Sequence, residues 1–296
     1  MSLLHLLLHL PKPGLSIVAA HFNHRLRGGS STRDLKFVET RCREWGVKFY
    51  RGQAPKWGSH ANLEARARQL RFRFLKKTAK NLRIKKILLA HHADDQAETF
   101  LIHWLQGAGL RGLSGISVLR QEEGLSFVRP LLFISKREII EYARLCKIPY
   151  RTDETNVQGT FLRNRVRKLL KALEKENPRL PERAAINSIL LKADQEYLEK
   201  NAADVLHEQY RNAKGRILFP VSRYLGLHDA VRYRLLQEMA KKVSGGCTPL
   251  PAESIFKMDE ILKGAGWKKY YDLPNQIGFL KSKVHFELFK KRAKHR

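Results

Sequence analysis

Residues 84–113, IKKILLAHHADDQAETFLIHWLQGAGLRGL, constrain this chain more than any other stretch. A short apolar run (Ile87, Leu88, Leu89, Ala90) stops at His91-His92, and three carboxylates follow at Asp94, Asp95 and Glu98. Apolar residues then recur at Ala97, Phe100, Leu101, Trp104 and Leu105, the stripe of an amphipathic helix. The segment therefore reads as a buried strand ending in imidazoles and carboxylates at the mouth of the next helix. In open α/β sheets ligands bind at the carboxyl ends of strands, so this junction is where chemistry is expected.

The same alternation surrounds it. Met1–Leu10 lacks the charged segment and cleavage site of a signal peptide, and reads as a core helix whose start is cut off. Ser16–Ala20 is a short apolar strand, and His21–Ser31 a polar loop. Leu35, Val38, Cys42 and Trp45 keep helical spacing up to Gly46, which is a natural stop. Val47–Tyr50 reads as a strand, and Leu63, Ala67, Leu70 and Phe74 mark a further helix. This order predicts an α/β fold with a parallel sheet and helices on its faces. Ser135 followed by Glu138 is a capping box that opens a helix to about Cys146. Beyond Asn177 the composition shifts, with Pro178 and Pro181 as punctuation. The expected organisation is an α/β domain over 1–185, a helical connector over 186–212, and a small basic α+β domain over 213–296.

The formal net charge is +29 and the pI about 10.3. Charge of that size points to a polyanionic partner, nucleic acid before anionic membrane. No apolar stretch reaches the roughly 18 residues that span a bilayer. Cys42, Cys146 and Cys247 are far apart and show no metal-ligand spacing, which fits a reducing cytoplasm and argues against structural zinc.

Four clusters carry chemistry. Asp95 reads locally as a helix cap, with Glu98 at N3 closing a capping box. Alternatively the three acids hold a cation, either a divalent metal or a substrate ammonium, because crowded carboxylates repel unless a cation joins them. His21–Arg27 (HFNHRLR) is either a solvated loop or a set of phosphate contacts. In FLRNRVRK, Arg163 and Arg167 share a helix face while Arg165 lies elsewhere, so not all can serve one phosphate. Most charges of Asn62–Arg71 (NLEARARQLR) could form ordinary i, i+3 and i, i+4 pairs, so their spacing alone does not point to catalysis.

In order along the chain, AHFNHRLR, NLEARARQLRFRFL, LAHHADDQAETFLIHWLQGAGLRGLSG, RPLL and FLRNRVR resemble the tRNA(Ile)-lysidine synthetases, closely over about residues 1–180. That family belongs to the PP-loop ATP pyrophosphatases, and the resemblance implies their adenine nucleotide α-hydrolase-like domain. It implies ATP and Mg2+ as cofactors, with free L-lysine and a tRNA(Ile) bearing a CAU anticodon as substrates. The reaction implied is adenylation of C2 of the wobble cytidine, followed by displacement of AMP by the lysine amine. By the same resemblance Asp94, Asp95 and Glu98 are catalytic, Asp95 and Glu98 contacting lysine and Asp94 the Mg2+ or the substrate. Ala20, His21, His91 and His92 would flank the nucleotide, and Arg25, Arg27, Arg163, Arg165 and Arg167 would hold the tRNA. A cytoplasmic protein without a membrane partner, alone or as a homodimer, completes the expectation.

The sequence departs from the family pattern twice. The pyrophosphate loop SGGxDS ordinarily precedes a helix like Met1–Leu7, and here the chain begins at that helix. Weak or no activity is therefore expected of these 296 residues, and the neighbours of a missing first strand are expected to be exposed. Gln106 stands where the family commonly carries Arg before Gly107. Two other readings compete: a catalytically silent tRNA-binding protein, and a PP-loop tRNA thiolase, which would need a cysteine pair that the spacing does not provide.

Overall fold

The computed structural model describes residues 1–11, 14–25, 29–55, 63–151, 162–213, 215–246 and 249–291. Arg27 and Cys247 lie outside these residues. The chain divides into two compact units, Met1–Leu191 and Lys192–Arg296.

The first unit runs α1 (Ser2–Leu8), β1 (Val18–Asn23), α2 (Gly29–Glu44), β2 (Lys48–Gln53), α3 (Leu63–Asn81), β3 (Lys86–Leu88) and α4 (Ala93–Leu105). It continues with α5 (Leu110–Leu113), β4 (Leu119–Glu122), β5 (Leu125–Val128), α6 (Lys136–Leu145), α7 (Leu162–Glu176) and the start of α8 (Leu180–Gln209). The predicted parallel pairing is present, but in two pieces. β1 pairs parallel with β2, Val18 opposite Lys48, and β3 pairs parallel with β5, Lys86 opposite Ser126. β4 adds an antiparallel strand to β5 through a tight turn at Glu123-Gly124. Both turn residues have positive φ (52° and 76°), the twist that a two-residue hairpin demands. Among the described residues no strand joins the two sheets, so β3 is an edge and its Leu88 is exposed.

Two apolar clusters position the site. Phe127 of β5 is fully buried beside Ala79 and Leu125, with Phe72 of α3 tilted against it at 5.4 Å between ring centroids. Ala97 of α4 meets Val166 and Leu170 of α7, with Leu101, Ile102 and Leu180 around them. The second cluster fixes which face of α7 looks at α4. The N-terminal helix differs from expectation, since no residue of α1 is buried. Its leucines cover an arc of about 200° of a seven-residue helix, too wide for one buried stripe. It is held through His5, whose Nδ1 lies 2.8 Å from the Tyr142 hydroxyl of α6.

The second unit follows the remainder of α8 with β6 (Arg211–Ala213), β7 (Arg216–Pro220), α9 (Val221–Leu225), α10 (Asp229–Ser244), α11 (Ala252–Lys263), β8 (Lys269–Leu273), β9 (Ile277–Lys281) and β10 (His285–Lys290). Its five strands form an antiparallel sheet in the order β6-β7-β10-β9-β8. Phe219, Phe279 and Phe286 pack with Leu235, Met239 and Met258 into one core. The buried Lys281 closes α11: its Nζ donates to the carbonyls of Ile261 (3.0 Å), Leu262 (3.1 Å) and Gly264 (2.7 Å). A cation there meets the negative end of the helix dipole. No described helix is long and apolar enough to cross a membrane.

Candidate active site

The site begins where β3 gives way to α4. His92 is the N-cap in extended conformation (φ −127°, ψ 178°), so the helix starts at Ala93, earlier than a cap at Asp95 would allow. Asp95 consequently occupies N3, where its Oδ2 accepts from the His92 N–H at 3.1 Å. Glu98, expected to close a capping box, lies one turn deeper and is 5% exposed, so end-capping does not explain it. Asp94 accepts through Oδ2 from the Lys136 N–H at 2.7 Å, which ties the start of α4 to the start of α6. The Ser135–Glu138 capping box at that second helix is as predicted. Acidic groups in a first helical turn also complement the helix dipole.

Across from these acids stands α7. Arg163 Nε donates to Glu98 Oε2 at 2.7 Å, and Arg167 Nε to Glu98 Oε1 at 2.5 Å. The Arg163 guanidinium also reaches Asp95 Oδ1 at 3.4 Å. Arg165 is exposed, on a different face from the pair, as the spacing required. Two groups that the sequence kept apart, acids for lysine and arginines for RNA, are thus one ion-pair cluster. The cation that crowded carboxylates call for comes here from the protein itself.

His91 adds a third component. Arg129, only 3% exposed, donates from Nε to His91 Nδ1 at 3.2 Å and from its terminal nitrogen to the Ser117 carbonyl at 2.7 Å. That contact makes Nδ1 the acceptor and leaves the ring proton on Nε2. Burial holds the His91 pKa down to about 4, with Arg129, Arg71 and Arg68 working the same way and Asp95 opposing. His92 behaves oppositely. Burial would lower it, but Asp94 and Asp95 outweigh that and raise it, with Asp94 Oδ2 3.3 Å from its Nδ1. Burial would raise the Asp94 carboxyl, but His92 and the Lys136 N–H hold it below the usual range.

Arg68, Arg71 and Arg129 carry no role in the sequence reading, although their motifs NLEARARQLR and RPLL are part of the resemblance. Arg71 Nε is buried and has no hydrogen-bond partner among the described residues. Arg68 and Arg71 both lie over the Phe72 ring, at 5.0 and 5.4 Å. Arg68, Arg71, Arg129, Arg163 and Arg167 set five positive charges against three from Asp94, Asp95 and Glu98. With His91 neutral, the surplus of two suits an anionic ligand.

The first strand contributes separately. Ala20 is exposed and His21 half-buried on β1, opposite Tyr50 and Arg51 of β2. Burial lowers the His21 pKa despite Asp34. Arg25 adopts φ 54°, its N–H donates to Asn23 Oδ1 at 2.9 Å, and its side chain is exposed. No described hydrogen bond or ion pair joins these residues to the α4 cluster. Among the described residues no group of three His, Cys, Asp or Glu is arranged to hold a metal ion. Asp94 keeps one oxygen, Oδ1, outside its described contacts with Lys136 and His92. That fits Mg2+, which takes one or two carboxylates plus phosphate oxygens.

Sequence comparison finds relatives along most of the chain. A tRNA(Ile)-lysidine synthase of Clostridioides difficile (strain 630) is 30% identical over 93% of this chain and 61% of its own length. One from Geobacillus kaustophilus is 32% identical over 84% and 55%. The bifunctional protein TilS/HprT of Listeria monocytogenes is 32% identical over 99% and 46%. The chain therefore spans about half to three fifths of the length of the relatives it matches. The solved structure of the U34-tRNA thiolase NcsA from Methanococcus maripaludis, with its [4Fe-4S] cluster, shares the fold at a TM-score of 0.55. It is 17% identical and covers 64% of this chain and 67% of that one. A family model for the PP-loop domain matches residues 1–173, the stretch that holds both α4 and the α7 arginines, and the chain belongs to that PP-loop family.

Proposed function

We propose that this chain carries the substrate site of a reaction that ligates free L-lysine to C2 of the wobble cytidine in a tRNA(Ile) with a CAU anticodon, at the expense of ATP. The C2 oxygen takes the adenylyl group and pyrophosphate leaves; the lysine side-chain amine then bonds to C2 and AMP departs with that oxygen. The observation that carries the reading is the meeting of Asp95 and Glu98 with Arg163 and Arg167 beside a surplus of guanidinium groups. An amino acid brings ammonium groups and a carboxylate together. A cluster with both charges can exchange its internal pairs for pairs with that zwitterion. Asp95 and Glu98 would take ammonium, and Arg163 and Arg167 the carboxylate. Arg71, Arg129 and the Nε2–H of His91 would face the anionic nucleotide, with His92, Ala20 and His21 at its edges. Asp94 Oδ1 would hold Mg2+, which neutralises phosphate charge when bound. Arg25, Arg27 and Arg165 would contact RNA.

The similarity to lysidine synthases supports this reading. Among the described cysteines, Cys42 is buried and Cys146 exposed, both free, which gives a thiolase no sulfur-carrying pair. The test is transfer of labelled lysine to tRNA(Ile) with a CAU anticodon, in the presence of ATP and Mg2+. Asp95→Ala should raise the lysine concentration required while tRNA affinity stays nearly constant. Transfer indifferent to Asp95→Ala would move the lysine site away from this cluster, and tRNA binding without any transfer would favour a silent RNA-binding protein instead.

A further inference from the structure

Away from the carboxylate cluster, α3 and the β4–β5 hairpin enclose a groove of about 610 Å³. Six cations line it, Arg68, Arg73, Lys76, Lys77, Lys80 and Arg120, against two carboxylates, Glu122 and Glu123. Both carboxylates are engaged: Lys76 pairs with each, Lys80 with Glu123 at 2.8 Å, and Arg120 with Glu122 at 2.5 Å. These pairs brace the hairpin turn against α3 and leave four positive charges in excess. Arg73 and Lys77 are exposed and have no carboxylate partner among the described residues. From Arg68 to Lys80 the cations follow α3 for about 18 Å, at 1.5 Å per residue.

The groove also communicates with the site. Phe72 lies in its wall, tilted against buried Phe127, and carries Arg68 and Arg71 over its ring. Arg68 thus belongs to both the groove and the guanidinium cluster near His91. A continuous track of positive charge leads along α3 to the β3–α4 junction.

We propose that this groove docks the phosphodiester backbone of RNA and leads the strand toward the candidate active site. The inference rests on the reading of the substrate as a tRNA. An elongated, solvent-open run of cations with an aromatic wall suits a chain of phosphates, whereas a single small anion would use only one turn of it. Contacts of this kind supply affinity and salt dependence but no sequence selection.

The test is binding of labelled tRNA(Ile) to the full chain across a salt series, with Arg73→Ala/Lys77→Ala compared with a control of equal charge on α2, Lys36→Ala/Arg43→Ala. The groove variant should lose affinity roughly tenfold, and the slope of log affinity against log salt should fall by about 1.4–1.8. An unrelated tRNA should suffer the same loss, and the control should stay near wild type. An unchanged groove variant, equal losses in both variants, or no RNA binding by the wild type would each overturn the proposal. So would poly(L-glutamate) binding the groove as strongly as RNA of equal charge, which would make the partner an acidic polypeptide. A groove variant that binds tRNA normally would leave the lysine-transfer reading standing, because that reading is decided by transfer and not by affinity.

Discussion

Replacing Glu98 with Gln removes one charge and almost no volume, so its effect isolates the α4–α7 ion pairs. The Glu98 side chain is 6% exposed, while Arg163 and Arg167 are 31% and 34% exposed. Stranding the partner of a fully buried pair costs about 3–5 kcal/mol. The arginine side chains here are about a third exposed, so water screens them and lets them rehydrate. The expected loss is therefore about 2–3 kcal/mol. At roughly 2–4 °C per kcal/mol for a unit of this size, the unfolding of residues 1–191 should fall by roughly 5–10 °C. Calorimetry is the assay, because it can resolve the two units if they unfold separately. Arg167→Met alone should cost less, since Arg163 still compensates Glu98. The double variant should fall short of the sum by about 1–2 kcal/mol, the coupling expected of contacting charges. A midpoint for Glu98→Gln equal to or above wild type, or a coupling of zero, would refute the ion-pair cluster and the amino-acid site built on it.

Two further measurements bear on single groups. His91 has a folded pKa of about 4 against 6.5 for a free imidazole, so between those values the unfolded chain binds the proton and the folded chain does not. Stability is then complete above about pH 6.5 and is lost as pH falls toward 4, by up to roughly 3 kcal/mol at 1.4 kcal/mol per pH unit. Urea unfolding at pH 7 and pH 4.5 should show that loss in the wild type and a smaller one in His91→Gln; equal losses would mean His91 is not the group titrating. Lys281→Met should destabilise residues 192–296 by about 2–3 kcal/mol, because the last carbonyls of α11 lose a charged donor inside the core. A change below about 0.5 kcal/mol in denaturant unfolding, the range of ordinary surface substitutions, would show that water caps the helix equally well.

The layered order of the first unit was legible because its signals are local. The stripe of α4 and the Ser135–Glu138 box depend on residues within a turn or two of each other. Strand β1 instead spans Val18–Asn23 and so continues past Ala20 through His21-Phe22-Asn23, whose polarity marks a loop. The start of α4 was misplaced for a local reason as well. Asp95 has the chemistry of a cap, but His92 takes that position and Asp95 answers it from N3. The compact units divide inside α8, one helix from Leu180 to Gln209, after Leu191, a point that no change of composition marks. Pairing order was less legible still. Nothing in the spacing of β1 and β3 says that they belong to different sheets, since that depends on which edges meet.

The site was half legible for a related reason. Its acids were found because Asp94, Asp95 and Glu98 lie within five positions, an exception in a chain of net charge +29. Their partners were not, because Arg163 and Arg167 are 65 and 69 residues away from Glu98 and Arg129 is 38 from His91. A helix with Arg at i and i+4 reads the same whether it faces water or a buried carboxylate. What separates the cases is the apolar stripe one step around, Val166 and Leu170, which presses that face of α7 onto Ala97. The consequence is chemical as well as structural. Glu98 is paired with arginines of another helix, and pairs of that kind can be exchanged for pairs with a ligand that carries both charges. Under the proposed function, the cluster keeps Glu98 paired before substrate arrives and can still open to a zwitterion.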